Sequence, residues 1–212
     1  MQTPKKEEVD LYSRFSTTPC EVPETCIVDT NVFLGAGPNI SDWSKQQTQS
    51  ALLCVKVMEQ IDKGVIKNVV LDGTWYRTSK IFDEYCHKLS PFNGQSIAEK
   101  ILRNLAMQGR FQYRKVTPQD GKPADYLEFP KDSRLADFDG SDKKFVAVAN
   151  AEDPRLPILQ SMDGKWWKWA KPLHDIGIEI LFTDSVIAQG ICSEKYQCGK
   201  KIGECGNCPE NG

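Results

Sequence analysis

The stretch that most constrains this chain is Cys26-Ile27-Val28-Asp29-Thr30-Asn31-Val32-Phe33-Leu34. A short apolar, β-branched run suits a buried central strand. An ionised Asp at the end of such a strand is expensive to bury without a compensating positive charge. No Lys or Arg lies nearby in the sequence, so a bound cation is the expected neutraliser. The competing reading is that Asp29 or Thr30 only caps the next segment, since both are good N-cap residues.

The rest of the chain predicts an α/β fold in three layers around a mostly parallel sheet, because strand-like and helix-like segments alternate. Val69-Val70-Leu71 reads as a second strand, and Asp72-Gly73-Thr74 as the opening of a helix with Ile81, Phe82, Tyr85 and Leu89 inward. Residues 51–61 and 96–108 carry apolar residues at helical spacing, and 111–116 alternate like an edge strand. Residues 117–140, rich in Pro, Gly and Asp, read as one long loop. A helix over 141–150, a strand over 156–160, a helix over 166–173 and a strand over 178–182 complete the pattern. Residues 1–24 read as an extended arm, 25–190 as the domain, and 191–212 as a Cys-rich tail.

In a parallel sheet, ligands gather at the C-terminal strand ends and adjoining helix starts. Asp29, Glu84, Asp142 and Asp163 each fall beside such a junction. Four ionised carboxylates would repel one another without cations, and oxygen-only ligands select Mg²⁺ or Mn²⁺. Two such ions about 3.5–4 Å apart are a known arrangement for phosphodiester hydrolysis. Taken singly, Glu84 could be a solvated helix residue, Asp142 an N-cap and Asp163 part of an Asp-Gly turn. Asp83 and Asp139 read as solvated, and Asp184 as the cap of a helix beginning at Val186.

These residues resemble the motifs of the PIN-domain nucleases over roughly residues 25–185. The hydrophobic-Asp-Thr-Asn signature is Val28-Asp29-Thr30-Asn31, and the Glu after the second strand is Glu84. The third acid, opening a helix that ends in Ala-x-Ala, is Asp142 before Phe145-Val146-Ala147-Val148-Ala149. The fourth motif is Ser161-Met162-Asp163-Gly164-Lys165-Trp166, in which Lys165 stands at the family's second acidic position. The resemblance implies a PIN-like fold and metal-dependent nuclease activity. Asp29, Glu84, Asp142 and Asp163 would hold Mg²⁺ or Mn²⁺, with Thr30 and Asn31 as support. RNA is the commoner substrate in such families, with single-stranded DNA the alternative. Free-standing members also resemble toxins with a protein inhibitor, so a protein partner is a further expectation. The competing functional class is a catalytically silent PIN-like scaffold. A phosphatase with Asp29 as nucleophile usually wants a second Asp where this chain has Asn31.

Composition narrows the remaining choices. A net charge of −2 excludes coating nucleic acid by charge alone, though not an acidic centre with a basic rim. No apolar run approaches the ~18 residues of a membrane helix, and the first residues lack a signal peptide's apolar core, so a cytoplasmic chain without membrane contact is expected. Cys192, Cys198, Cys205 and Cys208 suggest a small structural zinc site, with a flexible reduced tail as the alternative. Trp166, Trp167 and Trp169 interleaved with Lys165, Lys168 and Lys171 mix aromatic and basic residues as single-strand binding surfaces do. Core and rim packing is the commoner use of Trp at that spacing. His87, one turn from Glu84, is either an orienting group or a surface residue.

Overall fold

The architecture comes from a computed structural model, which describes residues 22–37, 45–91, 94–161 and 163–196. The central sheet is built from β1 (Thr25–Val28), β2 (Asn68–Asp72), β3 (Phe111–Arg114), β6 (Ile158–Gln160) and β7 (Ile180–Phe182). These five strands run parallel, in the spatial order β3-β2-β1-β6-β7. The helices are α1 (Thr30–Gly35), α2 (Lys45–Asp62), α3 (Lys80–Lys88), α4 (Ile97–Met107), α5 (Lys143–Asn150), α6 (Gly164–Asp175) and α7 (Ser185–Tyr196). They flank the sheet in a three-layer α/β/α arrangement, as the alternating pattern predicts. No described helix is long and apolar enough to cross a membrane.

The central strand is β1, and Cys26, Ile27 and Val28 are fully buried. Two-sided burial explains why the run is continuous rather than alternating. Helix α5 lies across β2, β1 and β6 and is buried from Lys144 to Ala149. Its inward surface is thus wider than the Phe145 and Ala149 face that helical spacing suggests. A helix apolar almost all round belongs inside a fold, and α5 is one.

Three sequence expectations change, and the favoured core packing of the tryptophans holds. Residues 117–140 contain an antiparallel hairpin of β4 (Pro118–Gln119) and β5 (Lys122–Tyr126), which packs on α5. Asp72 does not open a helix locally. It ends β2, and α3 begins only at Lys80 after a 3-10 turn over Tyr76–Thr78. Helix α7 runs to Tyr196, so Cys192, expected in the tail after 190, is a fully buried helix residue. The three tryptophans of α6 are core residues: Trp166 packs on Phe138 (5.3 Å) and Phe145 (6.4 Å), Trp167 on Phe182 (5.3 Å), and Trp169 on Phe138 (4.6 Å). They offer no single-strand platform. Most of the expected N-terminal arm, and Cys198, Cys205 and Cys208, lie outside the described residues.

Candidate functional site

The strand ends bring the expected acids to one edge of the sheet. Asp29 comes directly after β1 and caps α1, its Oδ1 accepting from the Asn31 N–H at 2.8 Å. The capping and site readings therefore describe the same residue. That is the one hydrogen bond its carboxylate makes among the described residues, and Asp29 is only 2% exposed. Burial raises its carboxyl to about 8, with repulsion from Asp142, Glu84 and Asp163 adding to the rise and the Asn31 N–H opposing it. All three other predicted acids thus lie within electrostatic reach of Asp29.

Each of the three is placed by a different element. Asp163 caps α6, accepting from the Lys165 N–H at 3.0 Å. Asp142 stands at the N-cap of α5 without bonding the helix, its Oδ1 meeting only the Ser141 hydroxyl at 3.3 Å. Burial lifts the Asp142 carboxyl to about 6, helped by Asp139 and Asp163 and opposed by Lys144 and Lys165. Glu84, on α3, accepts from the Thr30 hydroxyl at 2.6 Å, which ties it to the loop of Asp29. Asn31 contributes through its backbone.

Beneath this group, the Tyr85 hydroxyl donates to the Val28 carbonyl at the end of β1, and its ring packs edge-on against Phe33 at 4.9 Å. Burial holds that phenol well above its usual range, with Asp29 and Glu84 nearby adding to the effect.

Two cations enter from other elements, contrary to the expectation of none nearby. Lys144, only 6% exposed, places Nζ 2.6 Å from Glu84 Oε2 and also donates to the Ser141 carbonyl. Lys165 bonds Asp139 Oδ2 at 2.7 Å, and that pair holds Asp139 down to about 2. Asp139 is therefore a half-buried member of the cluster rather than a solvated acid. Five carboxylates (Asp29, Glu84, Asp139, Asp142, Asp163) face two ammoniums, leaving a surplus of negative charge. Hard oxygen donors with spare lone pairs on Asp29, Asp142 and Asp163 suit Mg²⁺ or Mn²⁺. Among the described residues, however, no three carboxylate, His or Cys side chains form a ready cage. A cation would have to draw them together, with Glu84 leaving Lys144.

Sequence reasoning missed Lys144 and Asp72. The signal for Lys144 is a lone charge inside the buried run after Asp142. Asp72, only 3% exposed, accepts from the Ser79 hydroxyl (2.7 Å), Lys80 N–H (3.0 Å) and Ile81 N–H (2.8 Å). A groove of about 610 Å³ is lined by the hairpin residues Asp125 and Tyr126, by Phe129 and by Lys143, the residue after Asp142, and by none of the site's acids. His87 points away, facing Asp83 at 3.6 Å on an exposed surface. Asp184 caps α7 by accepting from the Ile187 N–H at 3.0 Å, as its propensity predicts. Cys192 is disulfide-bonded, and the other three cysteines of the expected zinc site lie outside the described residues.

No protein-family model matches this chain, and neither does any curated protein or solved structure.

Proposed function

We propose that this chain is a PIN-like, metal-dependent nuclease that hydrolyses phosphodiester bonds of single-stranded RNA. The observation that carries the reading is Asp29: a carboxylate buried at the end of the central strand, with one hydrogen bond and three further acids in reach. A carboxylate serving only as a helix cap has no need of that company.

Asp29, Asp142 and Asp163, joined by Glu84, would hold Mg²⁺ or Mn²⁺. Such an ion supplies an acidified water as nucleophile and charge stabilisation for the leaving oxygen. The chain's own residues do the positioning. Asp29 is held rigidly by the strand behind it and the Asn31 N–H. Thr30 fixes one oxygen of Glu84. Lys144 neutralises the other until that oxygen is needed, and Tyr85 anchors the β1 end from below. The N-termini of α5 and α6 turn their positive ends toward the acids, favouring ionised forms.

The deciding experiment is cleavage of end-labelled single-stranded RNA with Mg²⁺ or Mn²⁺, with and without EDTA, by wild type and Asp29→Asn. Metal-dependent cleavage that disappears in the variant supports the reading. Equal cleavage by both proteins removes Asp29 from the reaction.

One observation favours a second reading, a silent scaffold: Lys144 and Lys165 act as built-in cations, and Lys165 occupies an acidic position of the PIN pattern. A scaffold would show no Asp29-dependent Mn²⁺ binding by calorimetry.

A further inference from the structure

Two large aromatic side chains stand exposed next to each other in the loop between β2 and α3. Trp75 is 45% exposed and Tyr76 44%, whereas the three tryptophans of α6 are at most 6% exposed. Their rings meet edge to face at 5.2 Å. The Arg77 guanidinium lies 5.4 Å from the Trp75 ring and 5.6 Å from the Tyr76 ring, and its Nε donates to the Tyr76 hydroxyl at 3.0 Å. Arg77 has no carboxylate partner among the described residues, in contrast to Lys143, Lys144, Lys165 and Lys168 nearer the acids.

The turn that carries them is rigidly built. The Thr78 hydroxyl accepts from the Thr74 N–H (3.0 Å) and Trp75 N–H (3.3 Å) and donates to the Trp75 carbonyl (3.0 Å). Gly73 has φ +85°, and a Cβ there would sit 2.7 Å from the Thr78 hydroxyl, so only Gly serves. The Tyr76 ring rests on Phe82 at 6.1 Å, and Phe82 is on the same helix as Glu84. A platform fixed in advance loses little conformational freedom when a ligand lands on it.

Its position is set by the sheet. β1 and β2 are parallel neighbours paired through Cys26 and Val69, so Asp29 and Asp72 stand at the same C-terminal end of the sheet. Trp75 is three residues further on, within about 11 Å of Asp72. The platform therefore rises from the same sheet edge as the acids, within the span of a few nucleotides. Lys80 bridges from here to the hairpin, donating to the Pro123 carbonyl at 2.7 Å.

We propose that Trp75 and Tyr76 stack unpaired bases of a single-stranded nucleic acid while Arg77 meets its phosphates, delivering the strand to the acidic site. Exposed rings beside a cation without a carboxylate partner match this ligand in shape and charge. A protein partner would be expected to bury about 800 Å² on this side, far more than three side chains present. The proposal deepens the nuclease reading and rests on it for the strand's destination.

The test measures fluorescence anisotropy of labelled oligonucleotides, about 10 nucleotides long, in EDTA so that nothing is cut. RNA, DNA of the same sequence, and an abasic strand are compared. Trp75→Ala should weaken RNA or DNA binding about 5- to 100-fold, and Trp75→Phe far less. Arg77→Gln should lower the salt slope by about one. On the abasic strand Trp75→Ala should change nothing. Loss on both RNA and DNA identifies base stacking alone, and loss on one names the strand class preferred. No binding by wild type, or equal binding by wild type and Trp75→Ala, overturns the proposal. Cleavage with an unchanged KM for Trp75→Ala also overturns it, while leaving the nuclease reading intact. Trp75-dependent binding without any metal-dependent cleavage does the reverse.

Discussion

Asp29 and Asp72 stand at the same end of neighbouring parallel strands, and both are almost fully buried. They are the same residue type in the same kind of place, yet their fates differ. Asp72 accepts three hydrogen bonds from the start of α3, whereas Asp29 accepts one from the start of α1. A buried carboxylate whose lone pairs are filled by N–H and O–H donors is a structural fastening. One left open beside other acids is, in the function proposed above, a ligand for a cation. The difference arises from the path the chain takes on leaving each strand. After β1 the helix starts at the residue beyond Asp29, so the cap is local. After β2 the chain makes a turn first, and Ser79, Lys80 and Ile81 return to surround Asp72.

The largest effect that separates the pair should be on cleavage. Asp29→Asn should lose roughly 10³-fold or more in rate, several kcal/mol of transition-state stabilisation. Asp72→Asn should stay within about tenfold of wild type when assayed well below its melting temperature, because its role is in stability. Equal losses in both variants would erase the distinction drawn between them.

Next comes Lys144, the cation that gives Glu84 a partner where Asp29 has none. Lys144→Met should destabilise metal-free protein toward the lower end of the roughly 3–5 kcal/mol of a broken buried pair, since Glu84 keeps 29% side-chain exposure. Mn²⁺ should restore more melting temperature to this variant than to wild type. A variant that Mn²⁺ does not rescue would argue against a cation at Glu84.

Smaller, and opposite in sign for the two acids, is the effect of neutralisation on folding without metal. Asp72→Asn removes acceptor capacity under three donors and should cost about 1–3 kcal/mol, lowering the melting temperature by about 2–4 °C per kcal/mol. Asp29→Asn removes a destabilising buried charge, so at pH 8 its melting temperature should equal or exceed that of wild type. A fall for Asp29→Asn as deep as for Asp72→Asn would mean that its charge is compensated.

Smallest per unit of change is the slope of stability with pH. Asp29 and Asp142, raised to about 8 and about 6, stay protonated in the folded state where the unfolded chain has released its protons. Their contribution is greatest below about pH 4 and is lost as pH rises toward 8, by no more than about 1.4 kcal/mol per pH unit for each proton. Asp139 and Asp132, both lowered to about 2, act in the opposite sense below about pH 4. Urea midpoints of metal-free wild type should therefore fall from pH 5 to pH 8. Asp29→Asn should flatten the fall above pH 6. A flat wild-type profile would contradict the burial of Asp29.

The sequence by itself determined the parts that depend on neighbours along the chain. Apolar β-branched runs mark β1 and β2, helical spacing marks α2 to α4, and the acids at strand ends are visible because a strand and its adjoining helix are local objects. Thus Asp29, Glu84, Asp142 and Asp163 could be named before any fold was seen. Tertiary structure alone decided which groups come near them. Lys144 and Lys165 reach the acids only once α5 and α6 dock on the sheet, and Asp72 finds its donors seven to nine residues on. The Pro- and Gly-rich 117–140 stretch pairs as a hairpin because α5 offers it a surface to pack on. The tryptophans make the same point: Trp166, Trp167 and Trp169 vanish among Phe138, Phe145 and Phe182, while Trp75 remains in solvent. An indole is both apolar and polar, so its own chemistry permits either place. The place is assigned by whether a second element arrives to cover it, and that is a property of the sheet order rather than of the residue.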